Sequence, residues 1–352
     1  MTTTPVRDTD FVDEFGLVGA VLPRWTLPVV ALATVAVTYL LFLITPLQGV
    51  ADSLVVAVVL YVIAQTAASF AVEGRRHAVD RLATTLIVGS FVIALIPLVS
   101  VLFTVLRKGL GVISAEFLTH SLRNIGPNDT GGGVYHGIVG SLEQALLTSL
   151  MAIPIAILVA IYLVEYGRGR LARWVTFFVD VMTGIPSIVA GLFIFTVWVL
   201  ILGFQKSGFA ASLALVILMV PVVVRSTEEM LKLVPNELRE ASLALGVPKW
   251  LTILRIVIPT ALAGIITGIM LGVARVIGET APLILLVFYT QSINFNPFSG
   301  PQAALPLIIF DQAGRPNQAA IDRAWGAALV LIVIVMLLNV IARILARFAR
   351  VR

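Results

Sequence analysis

Long, continuous apolar runs separated by short polar segments rich in arginine, glycine and proline organise this chain. The runs do not alternate with period two, so they predict helices and exclude the strands of an outer-membrane barrel. A hydrocarbon core of ~30 Å takes about 20 helical residues to cross. By that measure, candidate spans fall at about residues 27–46, 53–72, 82–106, 138–164, 176–204, 209–225, 256–289 and 324–347. Gly203 to Gly208 leaves only a short turn, so 176–225 admits a merged or a split reading. The pattern predicts an all-α polytopic membrane protein with about eight transmembrane helices.

Composition agrees. Of 352 residues, 59% are hydrophobic and only 12% are charged, and the mean hydropathy is +1.04. No water-soluble core hides that much apolar surface. The chain has no cysteine, which excludes disulfides and thiolate metal sites. His77, His120 and His136 are scattered without ligand spacing, so no metal site is expected. The net charge of +5 does not mark a nucleic-acid binder, because the arginines sit at the ends of apolar runs and form no patch of their own.

Those arginines set an expected orientation. With both termini cytoplasmic, as eight spans require, 17 of the 24 Lys and Arg fall on the cytoplasmic side. Six lie outside (Arg107, Lys108, Arg123, Lys206, Arg315 and Arg323), and Arg275 lies inside a span. This split follows the positive-inside rule and opposes the inverse orientation. The expected location is the cell (inner or plasma) membrane. Residues 1–24 carry Asp8, Asp10, Asp13 and Glu14 ahead of a span-length run, unlike a secretory signal, so no cleavage is expected. Thr130 to Gly133 reads as a flexible turn; no Lys-Ser/Thr follows its glycines, and no Walker-type loop occurs anywhere in the chain.

Residues 226–259 are less apolar than their surroundings. Asn236 suits an N-cap and Glu237 a first helical turn. Gly246 suits the left-handed residue that ends a helix, and Pro248 the first turn of the next. The segment predicts a short amphipathic helix, a tight turn and a second helix leading to Pro259 and the membrane. Leu238, Ala241, Ala244 and Leu245 share one side of the first helix. Local signals alone leave an ordinary interfacial helix and a docking element equally open.

The stretch Glu240-Ala241-Ser242, then Gly246, Ile256 and Pro259, resembles the cytoplasmic signature of ABC importer permeases: Glu-Ala-Ala, three residues, Gly, nine residues, Ile-x-Leu-Pro. Ser242 stands for the third alanine and Ile258 for the leucine. The resemblance implies a type I, MetI-like transmembrane domain whose helix around Glu240, Ala241, Leu245 and Gly246 docks on an ATPase subunit and transmits its closure.

The next segment, 261–289, carries Gly264, Gly268 and Gly272, then Arg275 and Glu279. At ~100° per residue these five fall within roughly 80° of arc. The small residues allow another helix to approach closely. Charges near mid-span cost about 2.5–3.5 kcal/mol each on insertion scales, so they should face protein or water. Pro282 would free the carbonyl of Gly278 and bend or unwind the helix. An i,i+4 neutralising pair at a helix interface and an oxyanion site are both open readings, and arginine's fork suits the second.

Arg275-Val276-Ile277-Gly278-Glu279-Thr280 resembles the Arg-Ala-x-Gly-Glu-Thr motif of phosphate permeases of the PstA type, with Val276 in place of alanine. Pro186 to Phe193 resembles a further stretch of these permeases. The likeness covers roughly residues 80–347. It implies a six-helix permease core in 80–352, containing the coupling loop 226–259. Residues 1–79 are then a cytoplasmic tail and two extra helices. It implies a phosphate pathway lined in part by Arg275, Glu279 and Thr280. The chain itself would be no enzyme and hold no cofactor. ATP and Mg would sit in two cytoplasmic ATPase subunits, joined by a homologous second permease and an extracytoplasmic phosphate-binding protein. A sulfate or molybdate permease, an ion-gradient-driven transporter, and a membrane scaffold or sensor are the alternatives. Glu143, Asp180 and His136 read as solvated flanks or packing anchors.

Overall fold

The structure, a computed structural model, describes residues 22–23, 25–44, 49–126 and 128–350. Arg7, Asp8, Asp10, Asp13, Glu14, Arg24 and Arg352 lie outside the described residues, as does the end of the 27–46 run. Among the described residues all regular structure is helical. Two compact units divide between Val101 and Leu102, inside the helix α3 (Arg75–Leu110).

In the first unit, α1 (Thr26–Ile44) and α2 (Val50–Glu73) pair. Thr34, Thr38, Gln65 and Ser69 are buried polar residues. The Thr34 and Thr38 hydroxyls are satisfied by carbonyls of their own helix, as a dry setting demands. The Glu73 carboxylate at the end of α2 accepts from the Leu22 amide, the Ser69 hydroxyl and the Arg81 guanidinium.

The second unit takes the end of α3 from Leu102, followed by α4 (Ala115–Thr119) and α5 (Tyr135–Ile161), which a π turn extends through Tyr166. Next come α6 (Gly169–Thr183), α7 (Ser187–Ile194, extended by a π segment to Ile201) and α8 (Gly208–Lys232). After them are α9 (Asn236–Ala244), α10 (Lys249–Thr252), a π turn (Ile253–Val257) and α11 (Ile258–Ile277). The chain finishes with α12 (Ala281–Leu286), α13 (Leu305–Ala313) and α14 (Gln318–Arg350).

The central element is α8, whose span is 67% buried, against 22% for α5 and 33% for the helix ending at Ile277. Its small and branched residues (Ala211, Ala214, Leu215, Met219, Val223) form a core with Ala152, Ala156 and Ala160 of α5. Those three alanines recur every four residues and so line one face. The glycine stripe of α11 packs on α8 as its spacing predicts. A Cβ on Gly264 would come within 2.2 Å of Met230 Sδ, on Gly268 within 1.9 Å of Ser226 Oγ, and on Gly272 within 2.9 Å of Val223 Cγ2. Gly268→Val is therefore expected to force the two helices apart at a cost of about 1–3 kcal/mol. The detergent-solubilised subunit should lose its folded fraction several degrees below wild type in a thermal size-exclusion assay.

Two predicted spans differ in form. The run 176–204 is not one straight helix: α6 and α7 meet at a 107° bend. Pro186 lacks an amide proton and disfavours helical geometry at Ile185, and the helix stops at Thr183 with Gly184 as its cap. Hydropathy reads one run because both sides are apolar. The run 256–289 begins earlier, at Lys249, and its long helix stops at Ile277 before restarting as α12. The described residues hold seven helices long and apolar enough to cross a membrane, or eight if the bent pair counts as one.

Candidate functional site

Two places gather the residues singled out by sequence. The first is the helical turn beyond α8. Pro235 occupies the N-cap of α9 with extended backbone, one residue earlier than predicted. Asn236 begins the helix, and its side-chain oxygen accepts from Arg239 (3.3 Å) in place of a backbone cap. The other end is as expected. Gly246 is left-handed (φ +78°). Its amide donates to the Leu243 carbonyl (3.0 Å) and the Val247 amide to the Ser242 carbonyl (3.2 Å). These paired bonds are the Schellman arrangement that satisfies orphan carbonyls at a helix end.

Ser242, the departure from the alanine pattern, is the one buried residue of α9. Its hydroxyl lies 2.8 Å from that of Thr252, also buried, and ties α9 to α10 across the turn. The predicted apolar side faces outward. Of that side Leu238 (42%) and Leu245 (84%) are exposed, as are Ala241 and Ala244; Leu243 (48%), round the helix from them, and Glu240 and Gly246 are exposed as well. Trp250 of α10 is exposed too, at 58%. A soluble loop helix turns its leucines inward; this one offers them.

The second place is the break between α11 and α12. Gly278 caps α11, its amide bonding to the Arg275 carbonyl at 3.2 Å, and the Glu279 amide bonds to that of Val276 at 3.2 Å. Thr280 is the N-cap of α12 and Pro282 sits in its first turn, where its missing donor costs nothing. Gly191 of α7 leaves room for Pro282, whose Cα would stand 2.8 Å from a Cβ there. Arg275 thus lies in the last turn of a helix, where the C-terminal dipole favours a cation. Its side chain is exposed on this chain, while Glu279 and Thr280 are half-buried. The neutralising pair is absent: among the described residues, Arg275 and Glu279 form no ion pair with each other. Ending the helix at Ile277 removes the i,i+4 geometry that would have joined them. The stripe divides, with its glycines on α8 and its arginine outside that contact.

Residues 152–351 match the family described as binding-protein-dependent transport system inner membrane component. Phosphate transport system permease protein PstA 1 of Mycobacterium tuberculosis (strain CDC 1551 / Oshkosh) is 53% identical over 279 residues, covering 79% of this chain and 91% of that protein. The chain belongs to this family, among the PstA permeases. The PstA of Pasteurella multocida (strain Pm70) is 41% identical over 69% of this chain and 86% of its own. Among solved structures, a bacterial alginate ABC transporter in complex with its alginate pentasaccharide-bound periplasmic protein superposes with a TM-score of 0.55. The match covers 77% of this chain and 96% of that one at 14% identity, and bears on the fold alone.

This PstA-family permease, a multi-pass inner-membrane component, also uses residues that its sequence did not advertise. Arg239 donates to Glu165, 74 residues away, and Lys249 donates to the Glu165 carbonyl. No local signal marks such a pair. Asp180, whose side chain is exposed, accepts from Arg225 of α8, which also binds Glu228. Glu143 accepts from Gln302, whose side-chain oxygen accepts from buried Gln144 at 2.9 Å. His136 is buried at 2% exposure. The Thr130–Gly133 turn is no loose linker: Arg323 donates to the Asp129 carbonyl (2.8 Å) and the Gly131 carbonyl (3.4 Å), and a Cβ on Gly133 would meet the Phe117 oxygen at 2.2 Å.

Proposed function

We propose that this chain is a membrane-spanning subunit of an ATP-driven phosphate importer. The observation that carries the cargo is its 53% identity to a phosphate transport system permease along 91% of that protein's length. The outward leucines of α9, on a helix whose ends and inner side are tied down, support a docking role for Glu240 to Gly246. In this reading both termini and α9 are cytoplasmic, and α9 seats on one of two ATPase subunits that hold the ATP and Mg. A homologous permease supplies the other half of the pathway, and an extracytoplasmic binding protein delivers phosphate. Arg275, with no carboxylate partner among the described residues, attracts the anion. Glu279 and Thr280 beside it keep the site from holding phosphate too tightly, since a passage must also release.

The test is reconstitution of this chain with the second permease, the ATPase and the binding protein in proteoliposomes. ATP-dependent phosphate uptake that excess sulfate or molybdate does not compete away is expected. Uptake of sulfate or molybdate instead, or phosphate uptake that needs an ion gradient and no ATP, overturns the proposal.

A further inference from the structure

The backbone joins α9 directly to α8 and, through α10, to α11. It does not join α9 to α5, whose extended end reaches the same region. Among the described residues, the hydrogen bonds and ion pairs from α9 and α10 to that end all converge on Glu165. Arg239 is the centre of this junction. Its Nε donates to Glu165 Oε1 at 2.9 Å, and its Nη2 lies 2.9 Å from the same oxygen. Nη1 donates to the Val234 carbonyl at 2.6 Å, and Nη2 to the Leu231 carbonyl at 2.9 Å. Leu231 is in the last turn of α8, where carbonyls lack intrahelical partners. One guanidinium therefore binds the ends of α5 and α8 from a position on α9. The pair is largely withdrawn from water, with side-chain exposures of 15% for Arg239 and 6% for Glu165. Lys249 reinforces it, bonding to the Glu165 carbonyl with its ammonium 4.8 Å from the Tyr166 ring centroid.

A withdrawn ion pair is a weak source of stability, because desolvation offsets its attraction. It is a source of orientation, because the planar guanidinium is held at once by Glu165 Oε1 and by the Val234 and Leu231 carbonyls. Apart from Ser242, which is tied to α10, α9 buries no residue. Side-chain force on α9 thus passes to α5 directly through Arg239, and indirectly by way of α10 and Lys249.

We propose that Arg239 and Glu165 are the link that carries movement of α9 into α5, making Arg239 a positioning residue for coupled transport. This rests on the reading that α9 docks on the ATPase. The experiment uses the full complex in proteoliposomes and measures phosphate uptake and ATP hydrolysis together. Arg239→Ala and Glu165→Ala are each expected to keep the ATPase bound and hydrolysing while phosphate moved per ATP falls at least about fivefold. The double variant should fall no further than the singles, as two halves of one link must. The chain has no cysteine, so Arg239→Cys with Glu165→Cys, bridged by a short reducible bis-thiosulfonate, is expected to regain most of the ratio and lose it on reduction.

A wild-type ratio in Arg239→Ala, additive losses in the double variant, release of the ATPase, or equal ratios with the bridge closed and open would each overturn the link. The bridged pair also answers if an alanine variant does not reach the membrane. Failure of the docking reading shows separately, as normal ATPase binding and uptake in Leu245→Glu.

Discussion

Leu245→Glu is expected to release the ATPase subunits from the complex and to abolish ATP-dependent uptake. Leu245 is 84% exposed at the C-cap of α9, so the change removes no internal packing and should shift the subunit's own stability by no more than about 0.5 kcal/mol. The same side chain lies on the side of α9 that also carries Leu238, exposed at 42%. Placing a carboxylate where an aliphatic anchor meets an apolar groove forfeits a hot-spot contact, about 2 kcal/mol or more. That corresponds to roughly a thirtyfold weaker association. The check is affinity purification of the tagged permease from membranes, followed by immunoblotting for the ATPase and by uptake measurement. Normal co-purification with normal uptake would remove α9 from the ATPase interface. A folded, membrane-inserted variant that has lost its ATPase is the result the docking proposal requires.

Arg275→Gln carries the second large effect. Arg275 is exposed on this chain, in the last turn of α11, and has no carboxylate partner among the described residues. Its charge is therefore available to an anion. A hydrogen bond to a charged group contributes about 1.5–3 kcal/mol, so uptake at limiting phosphate should fall by roughly tenfold or more. Arg275→Lys should recover part of the loss, keeping the charge without the fork. The subunit should assemble normally in both variants, because the side chain packs against nothing the fold needs. Radiolabelled phosphate uptake against substrate concentration checks this. Wild-type uptake by correctly assembled Arg275→Gln would show that the cation serves another purpose.

Glu279→Gln separates the two halves of that site. With no ion pair to break among the described residues, this change should leave assembly intact, and any effect should lie on release. The absence of the pair is itself instructive. Spacing of i,i+4 predicts contact only while the helix continues, and Pro282 with Gly278 ends it first. The proline was legible in the sequence. Where the break would fall was not, because Gly191 of α7 and the first turn of α12 settle it by packing.

The sequence by itself determined whatever depends on neighbouring residues and on solvent. Run length and composition specify helices in a bilayer, because only that solvent accepts such a chain. Glycine spacing identified the α11 face that meets another helix. Gly246, whose left-handed φ follows from the lack of a Cβ, marked the end of α9 to the residue. The register from Glu240 to Pro259 marked the loop. Only the tertiary structure decided what depends on residues far apart in the chain. It bent 176–204 through 107° at Pro186, turned the leucines of α9 outward, closed the Thr130–Gly133 turn over Arg323, and joined Arg239 to Glu165 across 74 residues. Such contacts follow from how the helices pack, and no local pattern encodes which polar side chain a distant helix will bring within 3 Å.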